Sequence, residues 1–446
     1  MDVRALPHLS GDPVIGHLRA FRKDRVGMML GLARSHPEIV EIAMGIVRHL
    51  VVVSAPALAN EVLVARDSSF KKSPGLTVFM RPVLGNGLLT SERELHDKQR
   101  KLLAPAFAHK RIVGYAETMA ARAARFADGW KENERVDIAE AMMKLTFEIV
   151  GKTLFDTEVG SDADIVGEAV EIAMHQAVSQ LAAAIPIPPF VPTLGNLRYK
   201  RAVNRLDEII YRIIRDRRSA GGDRGDVLSM LIAARDEAGV AMTDRQIRDE
   251  AMTLFLAGHE TTANGLAWAF YLLARNPEAR ERLEAEVDAL GHTPTYDDLK
   301  QLPYTLAVFK EAMRLYPPVY ILARRATEDT VVGERRIVKG SIVLINIIGI
   351  HRQPDVWSDP SRFDPTRFLG ERERQIPRGA YLSFSVGPRV CIGNHFALME
   401  AHLILATIAR RLRFGLERTE PAGLQQLITL RPKDGLPARV HLRRAN

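Results

Sequence analysis

The chain has 446 residues, of which 46% are hydrophobic and 26% are charged, close to the usual composition of globular proteins. This composition excludes a disordered, collagen-like or fibrous protein. The 62 Lys and Arg residues outnumber the 54 Asp and Glu residues, a net charge of +8, but both signs are spread along the chain. Because a nucleic-acid-binding protein usually concentrates its positive charge, we expect no nucleic-acid partner.

The N-terminus and the longest uncharged segment give no sign of a targeting or membrane segment. Residues 1–6 already include Asp2 and Arg4, and no apolar stretch follows them. Residues 176–197 carry no charge and are long enough to span a bilayer. They contain prolines that would break a spanning helix, namely Pro186, Pro188, Pro189 and Pro192. We therefore expect a cytoplasmic protein without a membrane anchor.

The first half of the chain begins with mixed elements and continues as helices. Residues 39–44 and 49–54 predict two short strands around a turn, and residues 58–66 predict a short helix. From about 92 to 218, apolar residues recur three and four positions apart, which predicts helices. Residues 226–236 predict one more.

Thr243 begins the longest predicted helix. It is a favourable N-cap residue, and Gln246 three positions later completes a capping-box pattern. The apolar pattern then continues without a proline to about Ala274. Two further helices are predicted over residues 277–290 and 303–316, each starting at a proline.

After residue 317 the pattern changes to short strands and an irregular stretch. Strands are predicted at 331–332, 336–338 and 341–346, an irregular segment at 351–377, a last long helix at 393–412, and strand-like residues at 427–442. Strands thus lie near both ends of the chain and helices fill the middle. The sequence therefore predicts one α-rich body with a small sheet built from distant segments, not three separable domains.

The single cysteine, Cys391, lies in a loop bracketed by Gly387 and Gly393 at the start of the last helix. One thiol cannot form an internal disulfide. Amide groups and the dipole at a helix N-terminus favour an anion, and Arg389 adds a positive charge two residues away. We expect these influences to lower the pKa of the thiol and to favour a thiolate, which is either a nucleophile or a soft metal ligand.

The run Phe384-Ser385-Val386-Gly387-Pro388-Arg389-Val390-Cys391-Ile392-Gly393 fits the pattern F-x-x-G-x-R-x-C-x-G at every specified position. It resembles the signature of the cytochrome P450 family, in which the cysteine thiolate is the proximal axial ligand of haem iron. The resemblance covers nearly the whole chain. It implies the P450 fold, mainly α with a smaller β-sheet region (α+β), as a single haem domain over 1–446 with a β-rich lobe at about 1–75 and 317–370. Phe384, Gly393 and Ala257 would then contact the haem.

A second motif, Glu311-Ala312-Met313-Arg314, places Glu and Arg three positions apart on one helix face. Alone, such a pair is usually an exposed ion pair worth about 0.5 kcal/mol or less. The motif resembles the family's E-x-x-R helix, and residues 363–368 resemble the segment that supplies a further arginine, here Arg367. The resemblance implies that Glu311, Arg314 and Arg367 form a structural triad that holds the cysteine loop.

The third motif, Ala257-Gly258-His259-Glu260-Thr261-Thr262, lies in the middle of the longest helix. A zinc H-E-x-x-H site is excluded because the second histidine position is Ala263, but a packing glycine beside a polar stripe is possible. A Thr hydroxyl can bond the carbonyl four residues earlier and open the helix. The motif resembles the family's [AG]-G-x-[DE]-T-[ST], which implies that Thr261 positions water and bound oxygen and that Glu260 relays protons.

Haem propionates need cationic or hydrogen-bond-donating partners. His96 and Arg100, four positions apart on one helix face, resemble the family's W-x-x-x-R pattern with His in place of Trp. Arg324 is a second candidate, with the adjacent Arg325 as an alternative, and Arg389 is a third. Each alone could equally be a solvated charge.

The substrate pocket is expected to draw on several apolar segments, although each of their residues could instead belong to the core. These segments are residues 76–89, Thr253 and Leu256 with Ala257 on the long helix, residues 319–321 with Val319 and Ile321, and an entrance lid at 185–194. An apolar lining suits a lipophilic substrate. Fatty acid, terpenoid, steroid and polyketide remain open.

The resemblance implies a haem-thiolate monooxygenase that contains haem b and inserts one oxygen atom of O2 into a lipophilic molecule, by hydroxylation or epoxidation. Gly85-Asn86-Gly87 lacks the third glycine of a dinucleotide-binding motif. Electrons are therefore expected from separate proteins, a ferredoxin or flavodoxin with its NAD(P)H reductase. A basic patch suits an acidic ferredoxin but is equally consistent with a solvated face: Lys98, Lys101, Lys110 and Arg111. We expect a monomer.

Other classes fit parts of the sequence. A haem-thiolate peroxygenase or another non-monooxygenase haem protein would keep Cys391 but need not keep Glu260 and Thr261, so that pair argues against it. A cysteine hydrolase would need a partnered histidine, which the sequence does not locate. A basic helical nucleic-acid binder would need clustered charge and a reading motif.

Overall fold

The computed structural model describes residues 4–45, 47–158, 163–181, 183, 187–222, 224–235 and 239–443. In chain order the helices are α1 Leu18–Lys23, α2 Arg25–Ser35, α3 Pro56–Asn60, α4 Pro74–Phe79, α5 Arg81–Leu84, α6 Arg93–Leu103, α7 His109–Asp128, α8 Ile138–Phe155, α9 Ala163–Leu181, α10 Leu194–Ala220, α11 Val227–Ala233, α12 Asp244–Arg275, α13 Pro277–Asp288, α14 Pro303–Leu315, α15 Ile347–Ile350, α16 Gly370–Arg374 and α17 Asn394–Arg411. The strands are β1 Ile39–Met44, β2 Val47–Val53, β3 Phe70–Lys72, β4 Arg135–Asp137, β5 Leu322–Ala326, β6 Thr330–Val332, β7 Arg335–Ile337, β8 Ile342–Ile345, β9 Leu412–Leu416, β10 Leu424–Gln426, β11 Leu430–Pro432 and β12 Pro437–Leu442. The predicted fold class, mainly α with a smaller β-sheet region, is confirmed.

The largest sheet has five strands in the order β1-β2-β8-β5-β3. β2 and β8 run parallel, with Val51 opposite Val343, and the other neighbours are antiparallel. Val51 and Val53 belong to one buried cluster, whereas Leu50 and Val52 belong to another. Both faces of β2 are therefore covered, which explains why its sequence is continuously apolar instead of alternating.

The central helix α12 begins at the predicted N-cap. Thr243 Oγ1 accepts a hydrogen bond from the Gln246 N–H at 3.2 Å, and the Gln246 side chain accepts one from the Thr243 N–H at 2.8 Å. The helix packs against α8, α10, α14 and α17. Its Trp268 is fully buried and stacks on Tyr316 with ring centres 4.0 Å apart. α12 is thus held by packing against four other helices.

The β10–β11 hairpin brings residues near position 430 into contact with α12. Gln426 pairs with Leu430 in this hairpin, and β11 packs on α12. Trp268 Nε1 donates a hydrogen bond to the Leu430 carbonyl at 3.4 Å. The side chains that follow Leu430 can therefore reach α12. The other two sheets have the orders β4-β12-β9 and β6-β7.

Some strands were missed by the sequence patterns. β5 was not predicted because it carries two arginines in five residues. The region 92–218, expected to be helical, is interrupted by β4, which pairs with the distant β12. Such short strands owe their stability to partners elsewhere in the chain, which local patterns do not show. In the described part of the chain, no helix has both the length and the apolar character needed to cross a membrane.

Candidate functional site

The loop that carries Cys391 is closed by its own main chain. The Cys391 N–H donates to the Phe384 carbonyl at 3.0 Å, and the Val390 N–H donates to the Gly387 carbonyl, also at 3.0 Å. Gly387 has a φ of +80°, and a Cβ at this position would lie 2.3 Å from the Leu63 carbonyl oxygen. Only glycine suits both the conformation and the space, so this residue fixes the path of the chain toward the cysteine.

The environment of Cys391 differs from the sequence expectation. Cys391 keeps accessible surface, yet burial raises the pKa of its thiol, and the Gly393 N–H and the Arg100 guanidinium oppose this rise only in part. The expected lowering of the thiol pKa, with help from Arg389, is therefore wrong. Arg100 Nη1 instead donates to the Val390 carbonyl at 2.8 Å and braces the loop. Cys391 is thus packed among protein atoms and still keeps some accessible surface.

α12 is buried over residues 247–273 except for one turn. Ala257 is exposed and Gly258 and Thr261 are half-buried, whereas the residues on both sides are buried. Thr261 Oγ1 donates to the Ala257 carbonyl at 2.8 Å, the back-bond that opens a helix locally. Ala257 and Thr261 lie on the same helix face. An otherwise buried helix thus presents one small, open window at the third sequence motif.

Glu260 is buried beside this window and is held from the β10–β11 hairpin region. Its Oε1 accepts hydrogen bonds from Thr429 Oγ1 and from Arg431 Nε, the latter at 3.0 Å, and Arg431 Nη2 lies 2.7 Å from the same oxygen. Among the described residues, no group bonds its Oε2. Thr429 and Arg431 lie 169 and 171 positions after Glu260 in the sequence. Sequence reasoning missed both because no local signal links them to α12.

The structure brings Glu311, Arg314 and Arg367 together. Arg314 Nε and Nη2 donate to the two oxygens of Glu311 at 2.7 and 2.8 Å, and both side chains are fully buried. Arg367 Nε lies 3.4 Å from Glu311 Oε1. Arg314 also donates to three main-chain carbonyls of the irregular segment, those of His351, Pro360 and Arg362. α14 and this segment are thus joined by one buried network.

His351, which sequence reasoning did not single out, connects this network to the cysteine loop. Its Nε2 accepts from the Leu382 N–H at 2.8 Å, so Nδ1 carries the proton and donates to the Arg314 carbonyl at 3.2 Å. Burial, with the Arg314 charge, lowers the pKa of His351 to about 3, and the ring stays neutral in this role. Leu382 lies two residues before Phe384, so the contact fixes the start of the loop.

Basic side chains form a buried cluster near the cysteine loop. Arg389 lies 3.4 Å from both Asp67 and Glu92. Burial, then repulsion from Arg389, lowers the pKa of Arg324 to about 10. Among the described residues, Arg324 Nε and Arg389 Nη1 have no hydrogen-bond partner. Four basic residues lie close enough for their charges to lower one another's pKa, and we call them the basic cluster: Lys72, His96, Arg324 and Arg389.

The register of β5 separates the two adjacent arginines. Arg324 is 4% exposed and faces inward with Ala326, whereas Arg325 is half-buried on the opposite face of the strand. Arg324 therefore belongs to the basic cluster and Arg325 does not. Arg100, predicted together with His96, contacts the cysteine loop.

The predicted substrate residues fall into two groups. Thr253 and Leu256 are buried in the α12 packing, and Val319 and Ile321 are half-buried beside two smaller cores. Of the predicted lid at 185–194, residues 187–194 are described and Phe190 is 85% exposed, while 185 and 186 lie outside the described residues. Two open clefts of about 310 and 670 Å³ lie along α7, α8 and α10 and include none of the residues predicted to bind haem or substrate, although Lys110 and Arg111 of the predicted basic patch line the larger one.

These features fit a flat cofactor with a soft-ligand metal and carboxylate groups. Cys391 keeps accessible surface in a loop closed by its own main chain, and the window on α12 is lined by the small residues Ala257 and Thr261. The basic cluster has buried donor atoms without partners, and such donors are satisfied by anions. The residues present therefore fit haem.

Comparisons with known proteins agree with this geometry. The sequence model of the family Cytochrome P450 matches residues 7–436. The chain is 39% identical to cyclooctatin synthase of Streptomyces melanosporofaciens over 90% of this chain and 88% of that protein. It is 32% identical to pentalenene oxygenase of Streptomyces avermitilis over 91% of this chain and 90% of that protein. The crystal structure of the cytochrome P450DA heme domain superposes with a TM-score of 0.90 at 30% identity, covering 100% of this chain and 99% of that one.

Proposed function

Because this chain belongs to the cytochrome P450 family and is a haem-thiolate monooxygenase for a lipophilic small molecule, we propose that its substrate is a carbocyclic alkene or alkenol of the terpenoid class. Three relatives support the class through their names: cyclooctatin synthase, cyclooctat-9-en-7-ol 5-monooxygenase and pentalenene oxygenase, at 39, 36 and 32% identity. The small, uncharged residues at the α12 window, Ala257, Gly258 and Thr261, suit such a molecule.

The observation that carries the chemistry is that Cys391 is a free cysteine with accessible surface, held in a loop closed by its own main chain. This sulfur would be the cysteine ligand that holds the iron of haem b. His96, Arg324 and Arg389 would hold the propionates, and Phe384, Gly393 and Ala257 would flank the ring. When bound, haem activates O2 so that one oxygen atom enters the substrate and the other leaves as water.

Two residues of α12, Glu260 and Thr261, would deliver the protons that the reaction consumes. Thr429 and Arg431 occupy Oε1 of Glu260, which leaves Oε2 as the oxygen that takes and passes a proton. Thr261 lies next in sequence and lines the window, where its hydroxyl would orient water and the oxygen being reduced. Glu260 and Thr261 are therefore assigned as the catalytic acid–alcohol pair.

Replacing Thr261 with alanine is expected to uncouple electron use from product formation. Without the Thr261 hydroxyl, the water that delivers the proton is no longer held in position. Peroxide is therefore released, and the amount of product formed per NAD(P)H consumed falls by about tenfold or more. The measurement is product and peroxide against NAD(P)H consumed. Thr261→Ser, which keeps the hydroxyl, should retain most of the coupling, and equal coupling in wild type and the alanine variant would remove Thr261 from proton delivery.

The proposed function is tested with purified protein reduced by dithionite and exposed to carbon monoxide. A Soret band at the red-shifted position typical of thiolate ligation supports the assignment of Cys391, and absence of a haem band contradicts it. Terpenoid alkenes and alkenols, fatty acids and steroids are then compared by the spin-state shift that they cause. A shift with fatty acids or steroids only would contradict the proposed substrate class.

We propose one haem domain over residues 1–446, acting as a monomer and receiving electrons from an acidic ferredoxin, or a flavodoxin, with its NAD(P)H reductase. Lys98, Lys101 and Lys110 are exposed on or after α6, and Arg111 is half-buried and bonded to the Gly225 carbonyl at 2.9 Å. The three lysines are the stronger candidates for the docking patch, because electrostatic steering needs exposed charge. Rates of reduction that fall steeply with salt would support this patch.

A further inference from the structure

Residues 85–91, between α5 and α6, lie directly on the N-terminal half of α12. A Cβ on Gly85 would be 1.9 Å from Asp249 Oδ1, and a Cβ on Gly87 would be 2.2 Å from Thr253 Oγ1. Neither position has room for a side chain. The contact also explains why Thr253 is buried under this loop, which we call loop 85–91.

Two adjacent acids of α12 accept hydrogen bonds from the main chain of loop 85–91. The Asn86 N–H donates to Asp249 Oδ2 at 2.8 Å, and the Leu88 N–H donates to Glu250 Oε2 at 2.9 Å. Alternate amides of the loop are thus held by consecutive residues of the helix. Gln99 Nε2 adds a bond to the Asn86 carbonyl at 2.6 Å.

A buried base holds the same loop from the opposite side. Lys72, the last residue of β3, donates through Nζ to the carbonyls of Leu88 and Ser91 at 2.8 and 2.7 Å. The N–H of Leu88 therefore contacts an acid on α12 while its carbonyl contacts a base on the sheet. Both main-chain polar groups of Leu88 are therefore held by side chains of opposite charge.

Burying these two ionisable groups costs free energy of folding. Glu250 is 0% exposed and Lys72 is 6% exposed. Burial, with the Asp249 charge, raises the pKa of Glu250 to about 7, although the Leu88 N–H opposes the rise. Burial lowers the pKa of Lys72 to about 7. Apolar side chains of similar size would avoid this cost, so the pair has a role in positioning.

We propose that Glu250 and Lys72 clamp loop 85–91 and thereby determine which substrates the enzyme accepts and which carbon it oxidises. Glu250 is a positioning residue, since it acts through the loop. Leu89, next to the clamped Leu88, is an apolar side chain that is 41% exposed, and the clamp fixes where it stands. The part of the inference that concerns substrate rests on the proposed function, whereas the clamp itself does not.

The test uses the holoprotein of Glu250→Ala and compares amide hydrogen exchange in a peptide covering loop 85–91. Loss of one buried acceptor should speed exchange there by about tenfold, leave the reduced carbon monoxide band in place, weaken substrate binding several-fold and broaden the set of products. Lys72→Met removes the opposite side of the clamp and should change the same quantities in the same direction, which keeps the test valid if Glu250→Ala does not fold.

A matched control is Glu284→Gln on α13. Glu284 is also buried, at 4% exposure, and it is bonded to Arg413 at 2.6 and 2.7 Å, away from the site. This control should leave exchange in loop 85–91 and the product set unchanged. If both clamp variants keep loop exchange within about twofold of wild type, the inference is overturned. Exchange is read without substrate, so it tests the clamp even if the proposed substrate class fails.

Discussion

Replacing Cys391 with alanine is expected to abolish monooxygenase activity and to remove the red-shifted band of the reduced carbon monoxide complex. The cysteine is the only one in the chain, so no other thiolate can take its place. Without thiolate ligation the electron donation that favours O–O cleavage is lost. Product formation should fall to the background, and the absorption spectrum is the direct measurement.

This loss can be separated from misfolding. The hydrogen bond from residue 391 to the Phe384 carbonyl is made by the main chain, and alanine preserves it. The thermal unfolding midpoint of the haem-free protein should therefore change little. Cys391→His offers a matched control, because it restores a ligand but not a thiolate and should give a band at the shorter position. An unchanged red-shifted band in the alanine variant would overturn the assignment.

Replacing Arg314 with alanine is expected to destabilise the fold by about 3–5 kcal/mol, the usual cost of leaving a buried charge without its partner. Glu311 would lose its bidentate partner, and the carbonyls of His351, Pro360 and Arg362 would each lose a donor. Denaturant unfolding of the haem-free protein and haem content after purification are the measurements. The free energy of unfolding and the haem content should fall together, because the network that stabilises the fold also positions the cysteine loop.

Two variants sharpen this second prediction. Arg314→Lys keeps the charge but not the planar fork that binds both oxygens of Glu311, so an intermediate loss is expected. Arg372→Ala breaks a pair with Asp364 in which the arginine side chain is 49% exposed, and it should cost about 1 kcal/mol or less. Equal losses for Arg314→Ala and Arg372→Ala would show that the buried network is not important for stability.

The sequence was informative where signals are local. The capping box at Thr243, the strand pair β1–β2 and the helix after Gly393 each depend on neighbouring residues, and the structure contains all three. The family resemblance was carried by the cysteine loop and by three further short motifs, at residues 96–100, 257–262 and 311–314. These motifs are readable because haem ligation needs particular residues at fixed spacing on one segment.

What the sequence could not show are contacts between distant segments. Thr429 and Arg431 hold Glu260, and His351 connects Arg314 to Leu382, but no spacing rule links these positions. The thiol pKa was misjudged for a similar reason: the helix N-terminus and Arg389 are local, whereas burial is a property of the whole fold. Lys72 lies in a three-residue strand and was not singled out, since its role depends on Leu88 and Glu250.

The strand order of the largest sheet also has a consequence for biosynthesis. Val53 of β2 pairs with Ile345 of β8, so nearly two-thirds of the chain is synthesised between the two partners. At about 5–20 residues per second, this interval is on the order of 15–60 s. During that time β2 has no β8 edge to pair with, and Cys391 has not yet been made. Haem held by Cys391 would therefore be acquired late, and the apolar edge of β2 lacks its β8 partner until then.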